Sequence, residues 1–253
     1  MACLSWTFHS PSLRMATHAF VVLPEYPAQP QNTLILLHGL SGACDTWNRR
    51  TSIERYAQKH NLAVIMPEVQ RSWYTDMVYG LPYFTFITDE LPRLAANTLR
   101  VPVDPAHLYV GGLSMGGYGA LKCALRAPET YCAAASLSGA VDVSALTLEK
   151  PAGERGYWED VFGPAQAIAG SENDLFAVSD RLAASGKALP KLYMWCGTED
   201  GLYGQNVRLR DHLRAKGYDL TYEESPGDHQ WKYWDEKIQT VLSWLPISKP
   251  AKN

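Results

Sequence analysis

The feature that most constrains this chain is Leu108-Tyr-Val-Gly-Gly-Leu-Ser114-Met-Gly-Gly-Tyr-Gly119, an apolar run that passes through Gly-x-Ser-x-Gly directly into a helix-forming stretch. Residues 108–112 read as a buried strand and residues 117–126 as a helix, so Ser114 stands on a strand-to-helix turn. A serine on so sharp a turn occupies strained backbone geometry. The glycines two residues to either side leave room where a Cβ would meet the neighbouring strand or helix. The turn lifts the hydroxyl into solvent over a helix N-terminus, whose dipole favours negative charge. Gly-x-Ser-x-Gly alone is a common pattern, and it becomes a nucleophile elbow through the strand and helix that flank it.

The rest of the chain supplies a sheet to carry such an elbow. Residues 4–8 and 16–23, split by Ser10-Pro11-Ser12, read as an antiparallel pair at a sheet edge. Short apolar runs then recur at residues 33–37, 62–66, 108–112, 132–137, 192–196 and 220–224, the earlier ones nearly continuous, as strands covered on both faces are. Helical stretches lie between them. Thr51-Ser52-Ile53-Glu54 has capping-box spacing and opens a helix to about His60. Others are expected over residues 84–99, 117–126, 205–216 and 231–244. Strands alternating with helices imply right-handed crossovers and a mostly parallel, doubly wound α/β sheet, here the α/β-hydrolase fold with an antiparallel N-terminal edge. Residues 141–189 break the pattern. They hold no convincing strand and are punctuated by Pro151, Gly153, Gly156, Gly163, Pro164 and Gly170. The expectation is one domain over residues 1–253, with 141–189 a cap-like helical insertion over the end of the sheet where such folds bind ligands.

A hydroxyl is a poor nucleophile at neutral pH and needs a base, and in this fold the partners follow the serine in the order acid, then histidine. Only His212 and His229 come after Ser114. His212 lies in an amphipathic helical stretch and reads as a surface residue. His229 lies in the turn-rich Ser225-Pro-Gly-Asp-His229-Gln-Trp, just before the last helix, and is the expected base. Leu192-Tyr-Met-Trp-Cys-Gly197-Thr-Glu-Asp200 offers two carboxylates after a late strand. Asp200, shorter and at the far end of the loop, is preferred over Glu199 as the group that fixes the imidazole tautomer. Asp228, adjacent to His229, reads as a solvated turn residue. The expected oxyanion hole takes one backbone N–H from Met115 and the other from Leu40, in the loop after Leu34-Ile-Leu-Leu-His38-Gly39-Leu40. His38 precedes the serine and reads as a structural loop residue.

Composition closes off other classes. A net charge of −3 and no basic run give no general attraction for phosphate backbones, so no nucleic-acid partner is expected. Ser5, Thr7, His9, Ser10 and Pro11 interrupt any signal-peptide core, and no run approaches the roughly 20 apolar residues of a membrane span. The expected location is cytoplasmic. The five cysteines, Cys3, Cys44, Cys123, Cys132 and Cys196, are scattered with no Cys-x-x-Cys pair, which gives neither a disulfide framework nor a zinc site. No cofactor and no metal are expected.

The chain resembles the putative-esterase family that contains esterase D (S-formylglutathione hydrolase), the mycobacterial mycolyltransferases and the small tributyrin esterases of lactic acid bacteria and streptococci, the last being most similar. The resemblance rests on His38-Gly-Leu-Ser-Gly42, Ser72-Trp-Tyr-Thr-Asp76, Glu90-Leu-Pro92, residues 112–119, Trp195-Cys-Gly-Thr-Glu-Asp200 and His229-Gln-Trp-Lys-Tyr-Trp234. It implies Ser114, Asp200 and His229 as the triad, hydrolysis of short acyl esters without metal or nucleotide, and a small-molecule ester as partner. It also implies that Trp73 and Tyr74 lie beside the substrate, and it makes a homo-oligomer plausible. An acyltransferase, or a carbohydrate esterase removing acetyl or feruloyl groups, would use the same triad. One position departs from the pattern: S-formylglutathione hydrolases carry histidine before the nucleophile, and this chain has Leu113. That points away from a glutathione thioester.

Overall fold

The computed structural model describes residues 1–25, 30–149 and 154–247. The chain opens as a hairpin of β1 (Ala2–Ser10) and β2 (Met15–Leu23), paired from Ala2 with Leu23 to Ser10 with Met15. β3 (Asn32–Leu37) leads to short helices α1 (Thr46–Arg50) and α2 (Ile53–Lys59) and then to β4 (Leu62–Pro67). After α3 (Tyr83–Thr85), a π turn over Phe86–Glu90 and α4 (Leu91–Leu99) come β5 (Leu108–Leu113), α5 (Met115–Arg126) and β6 (Ala133–Leu137). The stretch before the next strand is helical: α6 (Val143–Leu148), α7 (Arg155–Phe162), a 3-10 turn at Ala165–Ala167 and α8 (Leu175–Ala184). β7 (Lys191–Gly197), α9 (Tyr203–Ala215), β8 (Leu220–Ser225) and α10 (Trp231–Trp244) complete the described chain.

The eight strands form one sheet in the order β1-β2-β4-β3-β5-β6-β7-β8. The β1–β2 and β2–β4 pairs are antiparallel and all later pairs parallel, so the N-terminal hairpin is the antiparallel edge. β3, β4, β5 and β6 are buried at every position, because helices cover both faces and leave no solvated side. One face packs residues such as Ile35, Val110, Leu121, Leu91 and Leu209 with α4, α5, α8 and α9. The other packs Leu34, Tyr109 and Tyr193 against Trp47, Ile53, Ile238 and Val241 from α1, α2 and α10. No helix among the described residues is long and apolar enough to cross a membrane.

Two local expectations are corrected. The capping box at residues 51–54 does not form: Ser52 is the N-cap of α2 and makes no side-chain cap hydrogen bond. Thr51 instead ends α1, its hydroxyl donating to the Trp47 carbonyl at 2.7 Å and accepting from the Ile53 N–H at 3.1 Å. The helix expected over residues 84–99 is interrupted by the π turn just ahead of Pro92. Proline has no N–H to give to the preceding turn, and its ring crowds the carbonyl four residues back, so the widened turn accommodates it.

Candidate active site

The parallel strands aim their C-terminal ends at one set of loops, and the elbow is the most constrained of them. Ser114 has φ 53° and ψ −118°. Backbone bonds hold it there: its N–H donates to the Leu137 carbonyl at 2.9 Å, and its carbonyl accepts from Tyr118 at 3.1 Å and Ala140 at 3.1 Å. A Cβ at Gly112 would stand 2.5 Å from the Gly116 carbonyl. One at Gly116 would strike the Leu37 carbonyl and stand 2.7 Å from that of His38. Glycine is therefore required on both sides of the serine, because α5 starts in backbone contact with the end of β3.

Asp200 and His229 meet because the β7–β8 ladder continues past the strands. Thr198 N–H donates to the Ser225 carbonyl at 3.0 Å and Glu199 N–H to the Gly227 carbonyl at 3.0 Å, which lays loop 198–200 against loop 226–229. His229 Nδ1 then lies 2.8 Å from Asp200 Oδ2. The Asp200 side chain is 1% exposed and that of His229 is 38% exposed, so a buried acid backs an accessible base. Burial alone would raise the Asp200 pKa. Hydrogen bonds from His229, from the Leu202 N–H at 2.9 Å and from the Ser138 hydroxyl outweigh it and hold the carboxyl below its ordinary value.

Ser114 and His229 open onto one cleft of about 460 Å³, lined also by Leu40, Leu113, Trp231 and Trp234. No hydrogen bond joins the Ser114 hydroxyl to the imidazole among the described residues. A depression of about 580 Å³ around Gln31, Ala96 and Arg100 precedes β3 and β5, at the other end of the sheet, and holds none of these groups. Leu40 lies in a turn closed by Gly42 N–H to the Gly39 carbonyl at 2.9 Å. Met115 is the first residue of α5, where amide groups have no intrahelical acceptor. His38 is buried, its Nδ1 2.8 Å from the Gly39 carbonyl and its Nε2 accepting from the Val69 N–H at 3.3 Å. Burial lowers its pKa despite that carbonyl and Glu68.

The other candidates are placed as follows. His212 pairs with Asp180 at 3.0 Å on α9 and packs edge-on against Phe176, away from the cleft. Glu199 accepts the Gly227 N–H at 2.6 Å and so braces the loop that carries His229. Asp228 accepts from the Gln230 side chain at 2.5 Å. Trp73 and Tyr74, which the resemblance implied lie beside the substrate, are not among the residues that line the cleft with Ser114. Trp73, 3% exposed, packs against Trp158 at 4.9 Å, Tyr118 at 5.8 Å and Phe162 at 5.9 Å between ring centroids. Tyr74 is fully buried, and its hydroxyl donates to the His38 carbonyl at 2.8 Å. Both residues have positive φ, which turns their rings inward onto α5 and α7.

Two residues escaped the sequence reading. The Trp234 ring stands edge-on to His229 at 4.8 Å, and its indole N–H donates to the Ser138 hydroxyl at 3.1 Å. That hydroxyl in turn supports Asp200. Trp234 lies in the motif that contains His229 and could have been flagged from it. Ser138, just past β6 with φ 48°, carries no sequence signal of its own.

The family model described as "Putative esterase" matches residues 10–245. An acetyl esterase of Caldicellulosiruptor saccharolyticus is 30% identical, with 97% of this chain and 98% of that protein covered. Among solved structures, the fluorophosphonate-binding serine hydrolase FphF of Staphylococcus aureus, substrate bound, is 35% identical over 96% of this chain and 97% of that chain, with a TM-score of 0.88. The S-formylglutathione hydrolase FrmB of the same organism is 34% identical over 96% of this chain and 98% of that chain, with a TM-score of 0.86. This chain belongs to the putative-esterase family and is a carboxylic ester hydrolase of the α/β-hydrolase fold.

Proposed function

We propose that the chain hydrolyses short acyl esters through an acyl-enzyme on Ser114, with His229 as base and Asp200 as its orienting acid. The single observation that carries this is the Asp200–His229 hydrogen bond of 2.8 Å, with the imidazole opening onto the cleft that holds Ser114. The Asp200 carboxylate accepts a hydrogen bond from Nδ1–H and leaves Nε2 as the basic nitrogen. Substrate enters the cleft, and the hydrogen bond from the Ser114 hydroxyl to Nε2 forms as the site closes around it; catalytic hydrogen bonds are often long until the Michaelis complex. Ser114 attacks the acyl carbon, its proton passes to His229, and the oxyanion takes hydrogen bonds from the Met115 and Leu40 N–H groups. Collapse of the intermediate expels the alcohol, which takes its proton from His229. Water activated by the same imidazole releases the acid. Every role is filled by a side chain or amide of this chain.

The helices between β6 and β7 act as a cap in this reading, since Trp158 and Phe162 of α7 cover Trp73 and Tyr118 on the elbow's far side. The S-formylglutathione hydrolase relative supports a thioester leaving group as a second reading, despite Leu113. A series of p-nitrophenyl esters of rising acyl length, run beside oxygen esters and thioesters of one acyl group, tests both. Turnover should peak at acetyl to butyryl groups and vanish in Ser114→Ala with the fold intact. Persistent turnover in that variant removes the acyl-enzyme, and a preference for long acyl groups removes the short-acyl assignment.

A further inference from the structure

A second set of chemistry-bearing side chains converges behind the β3–α1 loop, and the proposed hydrolysis uses none of them. His18 on β2, Cys44 in the loop and Glu68 just after β4 offer a ring nitrogen, a sulfur and a carboxylate oxygen that all lie within 4.8 Å of one another. Their meeting follows from the topology. β2 and β4 are neighbours, and the ladder continues one step with Glu68 N–H donating to the His18 carbonyl at 3.1 Å. β3 lies on the other side of β4, and its loop folds back so that Cys44 N–H donates to Glu68 Oε2 at 3.0 Å.

The donors remain available. The His18 imidazole has no hydrogen-bond partner among the described residues, and the Cys44 sulfur meets only the backbone N–H groups of Cys44 and Asp45 in its own loop, which leaves it lone pairs for a ligand bond. The Glu68 oxygens each accept a backbone N–H, from Cys44 at 3.0 Å and Gln70 at 2.7 Å, and each keeps a second lone pair. Cys44 is 8% exposed whereas His18 is exposed, so the set is anchored on its inner side and open to solvent on its outer side. Ligand atoms about 2.0–2.3 Å from a tetrahedral zinc ion stand about 3.3–3.8 Å apart. Closing from 4.8 Å therefore needs about 1 Å of side-chain movement, within reach of the exposed imidazole.

We propose that His18, Cys44 and Glu68 form a three-donor site for a borderline divalent transition metal ion of the zinc class, with water completing a tetrahedron. Thiolate and imidazole select such an ion over calcium or magnesium, which require oxygen donors. On binding, the metal–sulfur bond replaces the Cys44 S–H bond and the proton leaves to solvent; the imidazole binds neutral and nothing is oxidised or reduced. The ion ties β2 and the end of β4 to the loop that carries Leu40. The sequence hides the site because the three donors lie in separate segments with no ligand spacing.

Titration of the reduced, metal-stripped full chain with cadmium, a spectroscopic stand-in for zinc, tests the assignment. One equivalent should produce the ultraviolet thiolate-to-cadmium band, zinc should displace it, and the thermal midpoint should rise with metal. Cys44→Ser should abolish the band while exposed Cys3 remains, and His18→Ala should weaken binding on the order of tenfold or more. Metal-free p-nitrophenyl acetate hydrolysis reports that each variant is folded. If Cys44→Ser fails that check, His18→Ala, a change at an exposed position, decides alone. A band that survives Cys44→Ser, an affinity unchanged in His18→Ala, or no saturable binding by the wild type would each overturn the site.

Discussion

Two aromatic clusters flank the nucleophile, and they differ in what their rings face. On one side Trp73, Tyr118, Trp158 and Phe162 pack on each other, with centroids 4.9 Å to 6.4 Å apart and every ring nearly or fully buried. On the other side Trp231 and Trp234 stand edge-to-face at 5.3 Å and line the cleft beside His229. The first cluster fastens the helices between β6 and β7 to the elbow. The second walls the open cleft that holds Ser114 and His229. Residue type alone does not distinguish a wall of the core from a wall of a pocket; the backbone does. Positive φ at residues 73 and 74 turns one set inward, whereas α10 begins at Trp231 and presents its first turn to the cleft.

The contrast can be broken most sharply on the cleft side. Asp200→Asn should reduce kcat by about 10³ to 10⁴-fold with the fold kept, because the amide no longer fixes the imidazole tautomer or stabilises the imidazolium. A steady-state comparison with wild type checks this, and a loss below tenfold removes Asp200 from the triad. In the buried cluster, Trp73→Ala should cost about 3–5 kcal/mol of stability, as deletion of a packed ring does, measured by urea unfolding. An unchanged unfolding midpoint would mean that the cluster is not a structural clamp.

Lys122 sharpens the same contrast through pH. Its ammonium lies fully buried beside Phe84 and Tyr118 and donates to Thr75 Oγ1 at 2.7 Å and Asn173 Oδ1 at 2.7 Å. Burial, with Arg126 nearby, brings its pKa down to about 7 from 10.5. Below the ordinary value the unfolded chain takes up this proton before the folded chain does. The contribution of Lys122 to stability is therefore greatest above pH 10.5, falls as pH drops toward 7 and is level below that. Wild-type stability relative to Lys122→Met should accordingly rise between pH 7 and pH 10.5. A difference independent of pH would contradict this. The smallest effect is expected at Trp231→Ala, where stability should change little and KM several-fold, with a different factor for each acyl or leaving group.

Much of the candidate site is legible in the sequence because chain order and local signals select it. The strand before Ser114, the helix after it and the exclusion of histidines that precede it leave few arrangements. The extents of α5 and α10 also follow from local periodicity, the latter over Trp231–Trp244 as expected. What escapes depends on contacts between distant segments. The π turn before Pro92 is an accommodation inside a helix whose hydrophobic pattern is otherwise regular. The bond from Trp234 to Ser138 spans 96 residues. The inward turn of Trp73 and Tyr74 depends on backbone angles that no residue preference announces.

The account stands on Ser114 being the group that becomes acylated, and fluorophosphonate labelling followed by peptide mass spectrometry tests this most directly. One adduct per chain is expected, on the peptide that contains Ser114, formed much more slowly in His229→Ala than in wild type. An adduct on another residue, or none on a folded and active protein, would contradict it.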